Sequence, residues 1–380
     1  VSLDFLAVAD SDSYVRWAAA TLDRLHGVDS RLAVVDSPVR PSASQLASAL
    51  AGTRFTAEHV PTLSFRALTR SLREDPPRAL LLATTGPVAD AFLRALSNKI
   101  PRPVVVSGQP GVALPATQRA VRYRATVDVL VVHSLREAHE YSTLARTIGT
   151  TARIVVNRLP FLCDPLFPLG TEQPRLQRVV FAAQAKFPSS SDDRVRIVRS
   201  LGRLAAARPD LDVVMKLRAQ AGEAQTHRER FPYDSLLAAH AHATGVRLIR
   251  TETGSMGNLL TPEAGVVSVS STAIVEAASQ GLRALVLGDF GVGPANLTDT
   301  YIGSGLIGSL ADLERGELRS PAPEWLRDNY GHSTPDELMD AVRDVDVSRP
   351  LPAPARIGRW HGRLRRRVRL AAPWGARRRY

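Results

Sequence analysis

Short apolar runs alternate with longer amphipathic segments along most of this chain, and that rhythm restricts the fold more than any single residue does. "LDFLAVA" (Leu3–Ala9) reads as a strand and "SYVRWAAATLDRL" (Ser13–Leu25) as a helix, with Ser13 as its N-cap. Strand patterns recur at 31–36, 78–84, 102–108, 127–134 and 152–157, and helical patterns at 42–50, 87–97 and 135–149. Strands that alternate with helices must run parallel and be joined by crossovers, so the expected class is an α/β sandwich.

The rhythm stops at 158–177, where four prolines stand without helical periodicity, and then restarts. The second series runs through "RVVFAAQ", "DDRVRIVRSLGRLAAARP", "LDVVMKLR", "YDSLLAAHAHATG" and "VRLIR" to "VVSVSSTAIVEAASQGLRALVLGDFG". With 380 residues against about 150 per domain, two domains are expected. Residues 1–160 form the first Rossmann-like domain, 161–177 a linker, 178–347 the second domain, and 348–380 a proline-rich joint with a basic tail. Helices at 310–316 and 336–343 fall within the second domain on this reading.

Ten of the twelve net positive charges lie in 356–380, which leaves +2 for the preceding 355 residues. A nearly neutral body argues against nucleic acid as a partner. One cysteine, Cys163, excludes an internal disulfide framework and a cysteine-based zinc site. No apolar run reaches the roughly 18–20 residues that span a bilayer, and the first residues lack a basic n-region. A cytoplasmic protein is expected. In the tail, Trp360, Leu364 and Val368 recur at helical spacing among arginines, the pattern of a helix lying on an anionic membrane surface.

The strongest motif is "SVSSTAIVEAASQG" (268–281). A strand hands over to a helix at Ser270, Ser271 and Thr272, where free amides, the helix dipole and hydroxyl donors suit a phosphate oxygen. Glu276 lies one turn inside and can accept bonds from a ribose diol; the plainer alternative makes Ser271 or Thr272 an N-cap and Glu276 a solvated charge. Lys216 and Arg218 alternate at the end of another strand and are natural phosphate partners, with Glu223 and His227 in the loop that follows. Gln184 and Lys186 stand after the first strand of the second half, and Asp10, Asp12 and Ser13 after the first strand of the chain. Asp10 or Asp12 can serve there as a general base; a capping role for Asp12 or Ser13 is the alternative. "TTGP" (84–87) and "SGQPG" (107–111) end further strands of the first half. The histidines show no metal spacing, so neither a metal nor a cofactor is expected.

The two α/β halves resemble the GT-B glycosyltransferases. The "SST…E" element is similar to the serine-rich donor motif of bacterial sialyl-, polysialyl- and Kdo-transferases and to CDP-glycerol glycerophosphotransferases. "VADSDSYVRWAA", "VVMKLRAQAGEAQTH" and "STAIVEAASQGLRALVLGDFG" together resemble a bacterial family of glycosyltransferases over about 3–345. The resemblance implies a GT-B fold with two Rossmann-like domains facing a central cleft. It also implies a donor phosphate at Ser270, Ser271 and Thr272. The histidine-proline pair of the sialyltransferase pattern reads Lys216-Leu217-Arg218 here. The expectation is metal-independent transfer of a sugar from a nucleotide-activated donor to a glycan or lipid-linked acceptor of the cell envelope. The base would be Asp10 or Asp12, and the protein would be peripheral at the inner membrane face through 356–380. The alternatives are a UDP-sugar 2-epimerase or CDP-glycerol-type transferase of the same fold, and a non-catalytic membrane or nucleic-acid binder acting through the tail.

Overall fold

The structure, a computed structural model, describes residues 3–166, 172–217, 229–244 and 249–355. These described residues divide into two compact units, 3–161 with 334–355, and those within 162–333.

The first unit is built on seven parallel strands. They are β1 (Leu3–Ala9), β2 (Val28–Val35), β3 (Thr62–Leu63), β4 (Ala79–Ala83), β5 (Val104–Gly108), β6 (Val129–Val132) and β7 (Arg153–Val156). Their order is β3-β2-β1-β4-β5-β6-β7. The crossovers carry α1 (Asp12–Asp23), α2 (Ala43–Leu50), α3 (Phe65–Glu74), α4 (Gly86–Leu96), α5 (Gln118–Arg122) and α6 (Leu135–Ile148). The central strands are apolar at nearly every position because helices cover both faces. Ala7 lies level with Leu32 on one side and Leu81 on the other. Alternate strand residues feed two cores: Phe5, Leu81 and Val106 pack with Trp17 of α1, and Leu80, Leu82 and Val105 with Phe92 of α4.

The second unit repeats the plan with six parallel strands: β8 (Arg178–Ala182), β9 (Asp212–Lys216), β10 (Arg250–Glu252), β11 (Ala264–Ser268), β12 (Arg283–Leu287) and β13 (Ile307–Gly308). The order is β10-β9-β8-β11-β12-β13. The helices are α7 (Ser191–Ala207), α8 (Tyr233–Thr244), α9 (Thr272–Ser279), α10 (Leu310–Arg315) and α11 (Pro323–Asp328).

The last helix among the described residues, α12 (Leu338–Asp344), departs from the sequence reading, which put it in the second domain. Leu338, Ala341 and Val342 are buried in the core of the first unit. Their i, i+3, i+4 spacing marks a helix with one apolar side but does not say which sheet receives it. The polar groups decide. The Glu337 carboxylate accepts the Val156 amide at 2.9 Å, and the Asn157 side chain accepts the Leu338 amide at 2.9 Å. The returning segment thereby satisfies the open end of the edge strand β7.

In both sheets the chain starts at an inner strand, winds to one edge, and returns to the other side of that strand. The order reverses between β1 and β4 in the first unit, and between β8 and β11 in the second. At such a switch point the two following connections leave in opposite directions and open a crevice beyond the carboxyl ends of the strands.

Candidate functional site

In the second unit the switch point is framed by Gln184 after β8 and by the turn from Ser268 to Thr272 after β11. Helix α9 begins at Thr272, as the sequence indicates, with Ser271 as its N-cap in extended conformation (φ −75°, ψ 145°). The Ser271 hydroxyl accepts the Ala273 amide at 3.2 Å, and the Ser271 carbonyl accepts the Ile274 amide at 3.1 Å and the Tyr301 hydroxyl at 2.9 Å. Gln184 holds the other side of the turn. Its Oε1 accepts the Ser270 amide at 2.9 Å, and its Nε2 donates to the Ser270 hydroxyl at 3.1 Å. The Ser268 hydroxyl is shared between the Ala182 carbonyl at 2.8 Å and Gln184 Oε1 at 3.3 Å.

These bonds sort the donors. The Ser270 amide is already used by Gln184, and the Ala273 amide by the cap. The Thr272 amide and the hydroxyl hydrogens of Ser270, Ser271 and Thr272 have no acceptor among the described residues. All three hydroxyl residues are half-buried. The capping alternative is therefore correct for Ser271, whose capping oxygen still carries its own proton. Glu276 is buried, so it is not a solvated helix charge. Helix α9 is buried on all sides, which its small apolar sequence "AIVEAAS" permits.

Lys216 ends β9, half-buried, with Nζ donating to the Leu217 carbonyl at 2.9 Å. It lies level with Ala182 of β8, and Val267 of β11 lies level with Phe181, so Lys216, Ala182 and Ser268 point to one face. Two strand spacings, roughly 9–10 Å, separate the ends carrying Lys216 and Ser268, a span within reach of a lysine side chain and a phosphate. Lys186 is exposed. Arg218, Glu223 and His227 lie outside the described residues.

Arg194 holds this arrangement in place and was not singled out from the sequence. It is buried in α7 on the stripe of Ile197, Val198 and Leu201. Its guanidinium donates to the carbonyls of Gln184 (3.0 Å), Ala185 (2.8 Å) and Phe231 (2.8 Å), Nε donates to Pro188 (2.9 Å), and the group pairs with the Glu229 carboxylate. It also stacks over the Tyr233 ring at 4.7 Å. The loop that positions Gln184 is thus fixed from beneath by one cation. A charged residue in an otherwise apolar helical stripe was the available signal.

In the first unit the switch point is framed by Asp10, Ser11 and Asp12 after β1, and by Thr84 and Thr85 after β4. Asp10 is buried, and its Oδ2 accepts the Thr85 amide at 2.9 Å and the Thr85 hydroxyl at 2.6 Å, while Oδ1 has no partner. Burial pushes the Asp10 carboxyl above its ordinary value, and the Thr85 bonds and nearby Arg124 oppose that shift. Arg124, buried and unforeseen from the sequence, donates to Ser107 Oγ (3.0 Å), the Thr84 carbonyl (2.7 Å) and the Tyr14 hydroxyl (2.8 Å). Tyr14 in turn donates to Gln109 at 3.1 Å. The "TTGP" and "SGQPG" segments thus meet in one polar network. Asp12 is the first residue of α1 and half-exposed, and Ser13 is exposed. The N-cap is Ser11 (φ −150°, ψ 165°), not Ser13, because the chain is still extended there and turns helical at Asp12.

Among curated proteins none matches the chain. The UDP-GlcNAc 2-epimerase from Neisseria meningitidis, solved with UDP-GlcNAc bound, is similar at TM-score 0.52 and 14% identity, over 83% of this chain and 90% of that one. A protein from Listeria monocytogenes, described as a putative UDP-N-acetylglucosamine 2-epimerase, is similar at TM-score 0.55 and 10% identity, over 93% and 99%. A UDP-glucosyltransferase from Polygonum tinctorium is similar at TM-score 0.49 and 13% identity, over 90% and 98%. The first two likenesses show a GT-B-like fold. Residues 5–345 match the family model described as "Putative glycosyltransferase (DUF6716)", and since that is most of its length, the chain belongs to this family.

Proposed function

We propose that the protein transfers a sugar from a nucleotide-activated donor, most simply a UDP-sugar, to a hydroxyl of a cell-envelope glycan or lipid-linked acceptor. The observation that carries this reading is the turn at 268–272, which leaves the Thr272 amide and three hydroxyls without acceptors among the described residues, at the switch point of the second sheet. In the reaction the acceptor oxygen attacks the anomeric carbon, the bond from that carbon to the phosphate oxygen breaks, and the acceptor proton passes to a carboxylate. Fixed donors that meet the leaving phosphate need no reorganisation as its charge grows. Ser270, Ser271, Thr272 and Lys216 fill that role, with Arg218 as a further phosphate partner, so the transfer calls for no metal. Glu276, with the dipole of α9, borders the nucleotide. Of the two acids after β1, the half-exposed Asp12 is assigned as the base, and the buried Asp10 as the carboxylate that ties β1 to the start of α4.

Lys216→Ala is expected to lower kcat more than it raises KM, because Nζ must leave the Leu217 carbonyl to meet charge that grows only as the donor bond breaks. Steady-state rates with UDP-, CMP-, GDP- and dTDP-sugars and a glycan acceptor read this, and unchanged constants would return Lys216 to a purely structural place. A second reading, 2-epimerisation, is favoured by the likeness to the two epimerase folds above. Formation of an epimer from a UDP-sugar without any acceptor would establish it in place of transfer.

The basic segment 356–380 lies outside the described residues, and no helix among the described residues is long and apolar enough to cross a membrane. We assign this segment to the anionic membrane surface, on its ten arginines and the spacing of Trp360, Leu364 and Val368. Full-length protein is expected to co-sediment with anionic liposomes at low salt, and protein truncated after Pro354 to stay in the supernatant. Equal behaviour of the two forms would rule the assignment out.

A further inference from the structure

Helices α3, α4, α5 and α6 cover one face of the first sheet. Phe65 of α3 packs on Phe92 of α4 with ring centres 4.8 Å apart, and Arg73 donates to the Ala95 carbonyl at 3.1 Å. On the other flank, Gly86 opens α4 against the Tyr123 ring at the end of α5. Leu68 and Leu72 turn the apolar side of α3 to the sheet. Arg66, Arg70 and Arg73 stand at i, i+4 and i+7, so they share the opposite side of the helix, and all three are exposed. Arg119 and Arg122 of α5 are exposed too, with Arg119 over the Tyr123 ring. Elsewhere on the surface arginines are neutralised: Arg31 pairs with Asp4, Arg153 with Asp344 and Arg203 with Glu314. The five arginines of α3 and α5 have no carboxylate partner among the described residues.

Acids do little to offset them. Asp90 pairs with Arg94, Glu140 pairs with Arg136, and Glu137 is buried, which leaves Glu74 exposed on the four helices, with Asp75 just beyond α3. The basic segment also leaves from this layer. Leu351 is buried in its core, the Leu351 carbonyl accepts the Asn98 amide at 3.0 Å, and Arg94 of α4 donates to the carbonyls of Pro354 at 3.0 Å and Ala355 at 2.8 Å. The ten arginines of 356–380 therefore follow directly on a residue held against α4, which α3 and α5 flank. We propose that the outward side of this layer, led by Arg66, Arg70 and Arg73, is the surface by which the first unit lies on an anionic bilayer. The proposal rests on the assignment of segment 356–380 to such a membrane and adds the face of the body that meets it. At 1.5 Å per residue Arg66 and Arg73 stand about 10 Å apart along the axis, so α3 must lie side-on to the plane for all three guanidinium groups to reach it. A positive helical layer on an otherwise nearly neutral body suits a charged plane better than a nucleic acid.

The test uses two full-length variants that each lose three positive charges. One carries Arg66→Gln, Arg70→Gln and Arg73→Gln; the control carries Arg175→Gln, Arg199→Gln and Arg327→Gln, at exposed positions of the second unit. Partition onto vesicles of equal parts phosphatidylglycerol and phosphatidylcholine is measured at low salt, with binding of a double-stranded DNA oligomer in parallel and melting by circular dichroism to show that both variants fold. The α3 variant is expected to bind the vesicles about 10²-fold more weakly than the control. Equal vesicle binding by the two folded variants would overturn the proposal, and loss of binding on truncation after Pro354 would then leave the tail assignment standing alone. Weakened binding of the α3 variant supports the face even if the truncated protein binds as well as the full chain, the result that rules out the tail. A loss confined to DNA, with vesicle binding unchanged, would overturn the proposal in favour of nucleic acid.

Discussion

Replacing Arg194 with methionine is expected to cost the second unit about 3–5 kcal/mol, the usual loss when one partner of a buried ion pair is removed. The side chains are similar in length, so the effect is one of polarity rather than of volume. In the wild type the guanidinium serves the carbonyls of Gln184, Ala185, Pro188 and Phe231 and the carboxylate of Glu229. Methionine leaves those oxygens unserved in a core otherwise made of residues such as Phe181, Ile197 and Leu201. Denaturant unfolding monitored by circular dichroism would show the loss. Arg194→Lys should recover only part of it, because an ammonium group cannot reproduce the planar fork. A loss below about 1 kcal/mol for the methionine variant would mean that the loop carrying Gln184 is held by other means.

Among the acids, Asp12→Asn is expected to lower sugar transfer by about 10²–10⁴-fold, the range for loss of a positioned general base. Nucleotide affinity should stay the same, because the proposed donor site lies in the other unit. Asp10→Asn serves as the contrast. Asparagine keeps an oxygen for the two Thr85 bonds and places its amide where Oδ1 now has no partner. Burial raises the Asp10 carboxyl above 3.8, so the folded protein holds a proton that the unfolded chain has already released. This term of wild-type stability is therefore present at pH values below 3.8 and is lost as pH rises from there through the folded value. The asparagine variant lacks that loss, so its melting temperature relative to wild type should rise from about pH 4 to neutral. A parallel pair of stability curves would contradict the buried-charge account. Collapse of transfer in Asp10→Asn with normal turnover in Asp12→Asn would exchange the two roles.

Much of the fold was legible because each sheet is buried on both faces, and continuous runs such as Leu80–Leu82 and Val104–Val106 can hardly be anything but inner strands. The start of α9 was legible for a related reason: an apolar run, three hydroxyl residues and a small-residue helix permit few other folds. The ownership of α12 was not legible, since its apolar stripe fits either sheet and only the bonds from Glu337 and Asn157 settle it. Nor was the consumption of the Ser270 amide by Gln184, because the partners stand 86 residues apart and no spacing rule connects them. Arg124 and Arg194 escaped for the opposite reason. In a chain with 49 lysines and arginines, Arg124 looks like any surface charge until its neighbours are known, and the apolar stripe that marks Arg194 as buried does not say which carbonyls it serves.

The central claim is that the turn at 268–272 receives the phosphate of a nucleotide, and calorimetric titration of UDP and UDP-sugars into wild type and Thr272→Ala tests it most directly. Thr272 is the residue to change because Ser271 also caps α9, and its loss would mix binding with stability. The account predicts that Thr272→Ala weakens nucleotide binding by about 1.5–3 kcal/mol, the worth of a hydrogen bond to a charged group, with the unliganded melting temperature nearly unchanged. Nucleotide binding that is the same in both proteins would contradict it.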